Sequence, residues 1–209
     1  MSEIETHPYN NPSEIPASTR AIIVGTAPPP HVNGRDIFFF YGSRRNQLWS
    51  KNFCKLYERQ FLSPEDMRLF LQTQGLWMVD VLQTYVRRKP GSAKDTDLEP
   101  RTCTDFRPIF RQHQHMNVVI FTGWKADRLT GMQWEKEQLI PAGKFWKNGK
   151  QRMPLHRNLK IRIDGSPREI ETHTLPSPSN ATKRIELNAK IEMYQKVLMR
   201  IRVDGSSLL

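Results

Sequence analysis

Cysteine is scarce in this chain of 209 residues: Cys54 and Cys103 are the only two, far apart and outside any CxxC pattern. That excludes a four-cysteine zinc or iron–sulfur site within the chain and offers no disulfide framework. Long apolar runs are missing too. A membrane span needs about 18 consecutive apolar residues, and no stretch comes near that. The N-terminal MSEIETHPYNNPSEIP is polar and acidic, without an apolar signal core, so a cytoplasmic, nucleoid-associated location is expected. There is no GxxxxGK[ST] phosphate loop, and no cofactor or metal is implied. Acidic residues are in deficit, 21 against 32 Lys and Arg, for a formal charge of +11. Such a surplus attracts polyanions, DNA foremost, although a solvated basic surface has the same composition.

What is present has a clear order. Four short apolar runs, AIIV (21–24), LWMVDVL (76–82), NVVIFT (117–122) and IETHTL (170–175), alternate with helical patterns. Near-continuous apolar strands between helices predict an α/β, three-layer αβα sandwich around a central four-stranded, mostly parallel sheet. SPEDMRLFLQTQG (63–75) has Ser63 as N-cap, Pro64 in the first turn and Gly75 past the end. Residues 46–61 and about 183–202 also carry helical spacing, with Trp49, Phe53 and Tyr57 read as core. Residues 1–19 read as a flexible N-terminal arm, 20–209 as a single domain, and 87–104 as a polar connection. Residues 133–168 form a basic insertion whose KNGK and IDGS turns predict a hairpin. HQH (113–115) ends a predicted helix without acidic or cysteine partners beside it and is read as surface.

The stretch VGTAPPP (24–30) must leave the sheet, because proline has no N–H and fixes its own φ. It becomes a rigid loop, followed by Phe38, Phe39, Phe40 and Tyr41 and then the basic turn GSRRNQLW. In an open parallel sheet, ligands bind beyond the carboxyl ends of the strands. Those ends fall at Gly25–Pro30, near Asp80, at Thr122–Trp124 and at LPSPSNA (175–181). Together they supply a stiff loop, a carboxylate, a glycine permitting close approach, and a Ser/Asn-rich turn suited to a phosphate.

The succession GTAPPP, FYGSRRNQLW, GLWMVDVL, VVIFTGWKA and LPSPSNA resembles the uracil-DNA glycosylase superfamily over about residues 20–200, and within it the hypoxanthine-DNA glycosylase branch. The resemblance implies a monofunctional DNA glycosylase. Tyr41 falls where the family stacks an aromatic ring on the flipped base, and Asn46 where the hypoxanthine branch places a water-orienting asparagine. Gly25, Thr26, Ala27 and Gly123 would line the base pocket. Ala27 stands where many members carry Asn or Asp, Leu175 where others carry His or Asn, and Asp80 where uracil-specific members carry a base-reading asparagine. Asp80 could read an exocyclic amino group or serve as the catalytic carboxylate. A carboxylate faces the C4 carbonyl of uracil badly and fits a cytosine-like or modified base better; the substrates expected are a deaminated base or an enzymatically modified cytosine. Arg44, Arg45, Ser177, Ser179, Asn180 and Lys183 are the expected DNA contacts, with Asn180 or a neighbour in 176–182 filling the vacated stack.

Each residue has a plainer reading. Asp80 could cap a loop, Asn46 could cap a helix, and Tyr41 could be core. The other functional classes left open are a catalytically inert DNA reader on the same scaffold and an enzyme acting on a small phosphate ligand. A monomer is expected in either case.

Overall fold

The computed structural model describes residues 3–30, 38–43, 46–143, 155–179 and 185–201. Strands β1 (Ile4–Thr6), β2 (Ala21–Gly25), β3 (Leu76–Asp80), β4 (Leu82–Arg87), β5 (Leu98–Cys103), β6 (Val118–Phe121), β7 (Leu155–Ile163) and β8 (Ser166–Thr174) are joined by helices α1 (Cys54–Tyr57), α2 (Pro64–Thr73), α3 (Phe106–Gln112), α4 (Trp124–Lys136) and α5 (Leu187–Ile201). Among the described residues the central sheet has five strands, in the order β3-β2-β6-β8-β7. The first four are mutually parallel and are the four apolar runs of the sequence. Every residue of β2, β3 and β6 is buried, as expected for strands covered on both faces.

The fifth strand comes from the basic insertion. β7 pairs antiparallel with β8 from Leu155–Thr174 to Ile163–Ser166, and the turn is Asp164-Gly165 with φ of 50° and 84°. Both turn residues at positive φ are what a two-residue hairpin requires. The predicted hairpin therefore forms, but it extends the central sheet from four strands to five. β7 alternates exposed and half-buried residues except at buried Ile161, the pattern of an edge strand with one wet face. The KNGK turn lies outside the described residues.

A second, antiparallel sheet, β1-β4-β5, has no counterpart in the sequence reading. It replaces part of the expected polar connection: β5 is LEPRTC, largely exposed, and Pro100 is tolerated because β5 is an edge strand. The expected flexible arm is likewise built in. Ile4–Thr6 pairs with Val86–Thr84, and His7 and Asn10 are buried, because polar side chains here serve as hydrogen-bond partners rather than as solvent contacts.

Ser63 caps α2 by accepting from the Asp66 N–H at 3.1 Å, and Gly75 takes φ of 65° at its end. The helix expected over 46–61 is interrupted: Leu48–Phe53 forms wide π-type turns before α1, an irregularity frequent at functional sites. It packs Trp49 and Phe53 against Phe61 and Phe70, with Trp49–Phe61 and Phe61–Phe70 ring centroids 4.9 and 4.8 Å apart. His113 is buried rather than on the surface, since Arg168 from β8 reaches across to the carbonyls of Phe110, His113 and Met116.

Glu137, just past α4, is buried where both its oxygens face the Phe106 N–H at 3.2 Å, and burial lifts its carboxyl to about 7. The folded state therefore holds this proton more tightly than the unfolded chain does. Stability attached to this group is present below about 4.5 and is lost as pH rises through about 7. Replacing Glu137 by Gln is expected to raise stability at pH 8 by on the order of 2 kcal/mol and to change it little at pH 4. Urea unfolding at the two pH values reads the difference.

Candidate active site

Gly25 and Asp80 end the adjacent parallel strands β2 and β3 and lie side by side in register. The Asp80 carboxylate leans over Gly25, and the ring of Tyr41 meets it there. A Cβ placed on Gly25 would stand 2.1 Å from Asp80 Oδ1 and 2.0 Å from Tyr41 Oη. Only glycine leaves room for this meeting, so three residues from separate parts of the chain share one point at the carboxyl edge of the sheet. Tyr41 reaches it from a backbone with φ of 57°, a conformation that non-glycine residues hold at a cost and often at functional sites.

The proton positions follow from the partners. Thr122, just past β6, donates to the Val24 carbonyl at 3.3 Å, which leaves Tyr41 to donate to Thr122 Oγ1 at 2.6 Å. Burial, reinforced by the Asp80 charge, holds the Tyr41 phenol far above its ordinary range. It is a neutral donor at any working pH. Asp80 Oδ2 lies 2.8 Å from His7 Nε2, and His7 Nδ1 accepts from the Tyr9 N–H at 3.3 Å. His7 therefore carries its proton on Nε2 and donates it to the carboxylate. Asp80 Oδ1, in contrast, is buried with no hydrogen-bond partner. A buried carboxylate oxygen without a donor is costly, and here it points at the position an added Cβ on Gly25 would occupy.

The main chain of Asp80 is fixed as firmly. Asn10 spans it, accepting from its N–H at 3.0 Å and donating to its carbonyl at 2.8 Å, and Thr104 Oγ1 donates to the same carbonyl at 2.6 Å. His7, Asn10 and Thr104 are the site residues that the sequence reading missed, and Thr122 figures there only as a strand end. The Pro-rich loop is anchored in parallel: buried Arg87 donates to the Pro28 carbonyl at 3.2 Å while gripping the Glu5 carboxylate at 3.0 and 3.2 Å. Thr26 Oγ1 donates to Asp95 at 3.3 Å, and Ala27 packs partly buried against the core.

Asn46 occupies the neighbouring ground. Its Oδ1 accepts from the Leu48 N–H at 2.8 Å, and it stands one residue before Gln47, which is the N-cap of the wide helix. It also pairs through an isolated bridge with Ser179, and the next residue, Gln47, donates to the Pro178 carbonyl at 2.9 Å. Asn46 and Tyr41 line one groove of about 490 Å³ with Ser43, Trp49, Ser50 and Phe61 among its other walls. Tyr41 thus belongs both to the groove and to the Asp80 cluster. No hydrogen bond among the described residues joins Asn46 to Asp80 directly.

The LPSPSN turn sits on the same edge. Leu175 continues the sheet by donating to the Phe121 carbonyl at 2.8 Å, and α5 holds the turn from below. Tyr194 Oη donates to the Pro176 carbonyl at 3.1 Å, and buried Lys190 donates to that of Ser179 at 3.3 Å. Burial lowers the Lys190 ammonium below its ordinary value. Gly123 opens α4 with φ of 142°, and a Cβ there would rest on Ser177 at 3.7 Å. Gly123 and Ser177 are therefore brought together, as are Asn46 and Ser179. Arg44, Arg45, Asn180 and Lys183 lie outside the described residues. His156, Glu171 and His173 are the one described group of His, Cys, Asp and Glu side chains suited to a metal ion, and they belong to the β7–β8 hairpin.

No family model and no curated protein matches the sequence. Among solved structures, the chain is similar to the solution NMR structure of "a putative Uracil DNA glycosylase from Methanosarcina acetivorans". The TM-score is 0.59 at 17% identity, covering 90% of this chain and 93% of that one. At this identity the match establishes the fold alone, an α/β sandwich with a parallel-rich central sheet. No helix among the described residues is long and apolar enough to cross a membrane.

Proposed function

We propose that this chain is a monofunctional DNA glycosylase whose Asp80 reads the excised base. The observation that carries the reading is the Asp80 carboxylate itself. One oxygen is saturated by His7 and the other is buried without a donor, aimed over a glycine at the carboxyl edge of a glycosylase-like sheet. A base can reach such a site only after leaving the helical stack, and the enzyme must offer stacking and edge contacts in exchange. Tyr41 supplies the ring, and the rigid 25–30 loop the floor. Asp80 Oδ1 supplies an acceptor, which suits an exocyclic amino group such as N4 of a cytosine-like base. The C4 carbonyl of uracil would repel it.

In the reaction the bond from C1′ to the base nitrogen breaks, its electron pair leaves with the base, and the sugar acquires oxocarbenium character. DNA phosphates and a positioned water answer that charge. Asn46 holds the water: its Oδ1 is committed to the Leu48 N–H, which leaves its Nδ2–H group to orient the nucleophile. An amide cannot take up the proton, so Asn46 acts by position rather than as a base: the water oxygen bonds to C1′ and its proton passes to the departing anionic base. The +11 charge holds the DNA, with Ser177, Ser179 and the segments flanking them as phosphate contacts.

The test is release of free base from oligonucleotides carrying uracil, hypoxanthine, xanthine or modified cytosines that keep an amino group. Release is expected from an amino-bearing base, and Asn46→Ala is expected to slow it on the order of a hundredfold while DNA affinity holds. Tight binding with no release from any substrate supports instead an inert reader, which the alanine at position 27 and the leucine at 175 would suit.

A further inference from the structure

The β7–β8 hairpin carries a cluster that the glycosylase reading does not use. His156 and His173 are directly opposed across the ladder, and Glu171 lies two residues from His173 on the same face of β8. Residues in these positions point the same way. The two imidazoles are stacked nearly parallel, 4.8 Å between centroids and 18° between planes. Both turn Nε2 toward the same oxygen: Glu171 Oε1 lies 3.0 Å from His156 and 2.8 Å from His173. The three donor atoms fall within 4.8 Å of one another. Two rings aimed at one carboxylate oxygen converge on a point rather than forming an extended ladder.

We infer that His156, Glu171 and His173 form a binding site for a divalent transition metal of the zinc class, with two imidazole nitrogens and one carboxylate oxygen as ligands. Metal–ligand bonds of about 2.0–2.2 Å set tetrahedral donors roughly 3.3 Å apart. The two oxygen–nitrogen separations need to open by a few tenths of an ångström and the two imidazole nitrogens, within 4.8 Å of one another, need to close toward the same spacing, an adjustment that rotation of half-exposed His156 on edge strand β7 supplies. Two neutral imidazoles and a carboxylate match zinc in softness, whereas calcium and magnesium ask for oxygen ligands throughout. Three protein ligands leave one position for water. His173 is buried and His156 half exposed, so one ligand is anchored in the sheet while the ion is admitted from solvent. The bound ion would staple the edge strand to the sheet beside the end of the basic insertion.

The full chain, stripped with a chelator and dialysed, is titrated with Zn²⁺ by equilibrium dialysis beside His156→Ala and Glu171→Gln, with thermal melts of each. His156 is half exposed and Glu171→Gln is isosteric, so both variants keep the fold, which circular dichroism verifies. The wild type is expected to bind one equivalent more tightly than either variant, by more than the roughly 10–100-fold that loss of an outer-shell partner alone brings, and to melt higher with zinc than without. Binding of equal stoichiometry and affinity in all three proteins would put the ion elsewhere and overturn the inference. So would a wild type that takes up no zinc at excess metal.

Discussion

Asp80→Asn is expected to exchange the substrate preference: release of an amino-bearing base falls on the order of a hundredfold or more, and release of uracil appears or rises. The direction follows from His7. Its Nε2–H donates to Asp80 Oδ2, so an asparagine at this position turns its carbonyl oxygen to His7 and its NH₂ to the place of Oδ1. A buried acceptor becomes a buried donor of the same shape, at the same point over Gly25. Amino groups then meet a donor they cannot pair with, and the uracil carbonyl meets one it can. Free-base release measured under single-turnover conditions on both substrates checks it. Loss of release on every base, uracil included, would make Asp80 the catalytic carboxylate instead of the reader.

Gly25→Ala is the second large effect. The added methyl would stand about 2 Å from both Tyr41 Oη and Asp80 Oδ1, well inside van der Waals contact. Tyr41 is held by Thr122 and Asp80 by His7, so neither swings away without losing a hydrogen bond. The expected cost is about 1–3 kcal/mol of stability, seen as a Tm lower by about 2–4 °C per kcal/mol, together with loss of base release. Tyr41→Phe removes one of the two obstructing atoms. The double variant Gly25→Ala/Tyr41→Phe should therefore be less destabilised than the sum of the single changes, a coupling that thermal or denaturant unfolding of all four proteins measures. Strict additivity would mean that the three side chains do not share the point described.

The central sheet was legible because β2, β3 and β6 are buried on both faces and read as near-continuous apolar runs, with β8 marked only by the weaker IETHTL; AIIV became β2 and NVVIFT contained β6 within a residue or two. The second sheet was not, because its stability rests on pairing rather than on apolar pattern. β1 is only IET, and β5 is LEPRTC with a proline; neither announces itself until its partner β4 is in place. The wide turns at Leu48–Phe53 bury the same aromatic stripe that an α-helix would, so spacing alone could not separate them. At the site, Gly25, Tyr41 and Asp80 were nominated from three separate stretches by strand ends and by resemblance, and the structure brings those three to one point. His7 and Asn10 were hidden by composition. A polar, Pro- and Asn-containing N-terminus looks like free chain, and only the buried end of β3 reveals what its side chains are for. The basic insertion was recognised from its DG turn, but its joining the central sheet depends on the register with β6, which a single sequence does not display.

The most direct measurement is to incubate the wild-type chain with end-labelled duplexes, each carrying one candidate base, and to compare strand integrity with and without hot alkali. A monofunctional glycosylase leaves abasic sites, so breaks are predicted at one amino-bearing base after alkali and none before it. Duplexes of every kind that are bound yet stay intact through alkali would contradict the proposed activity.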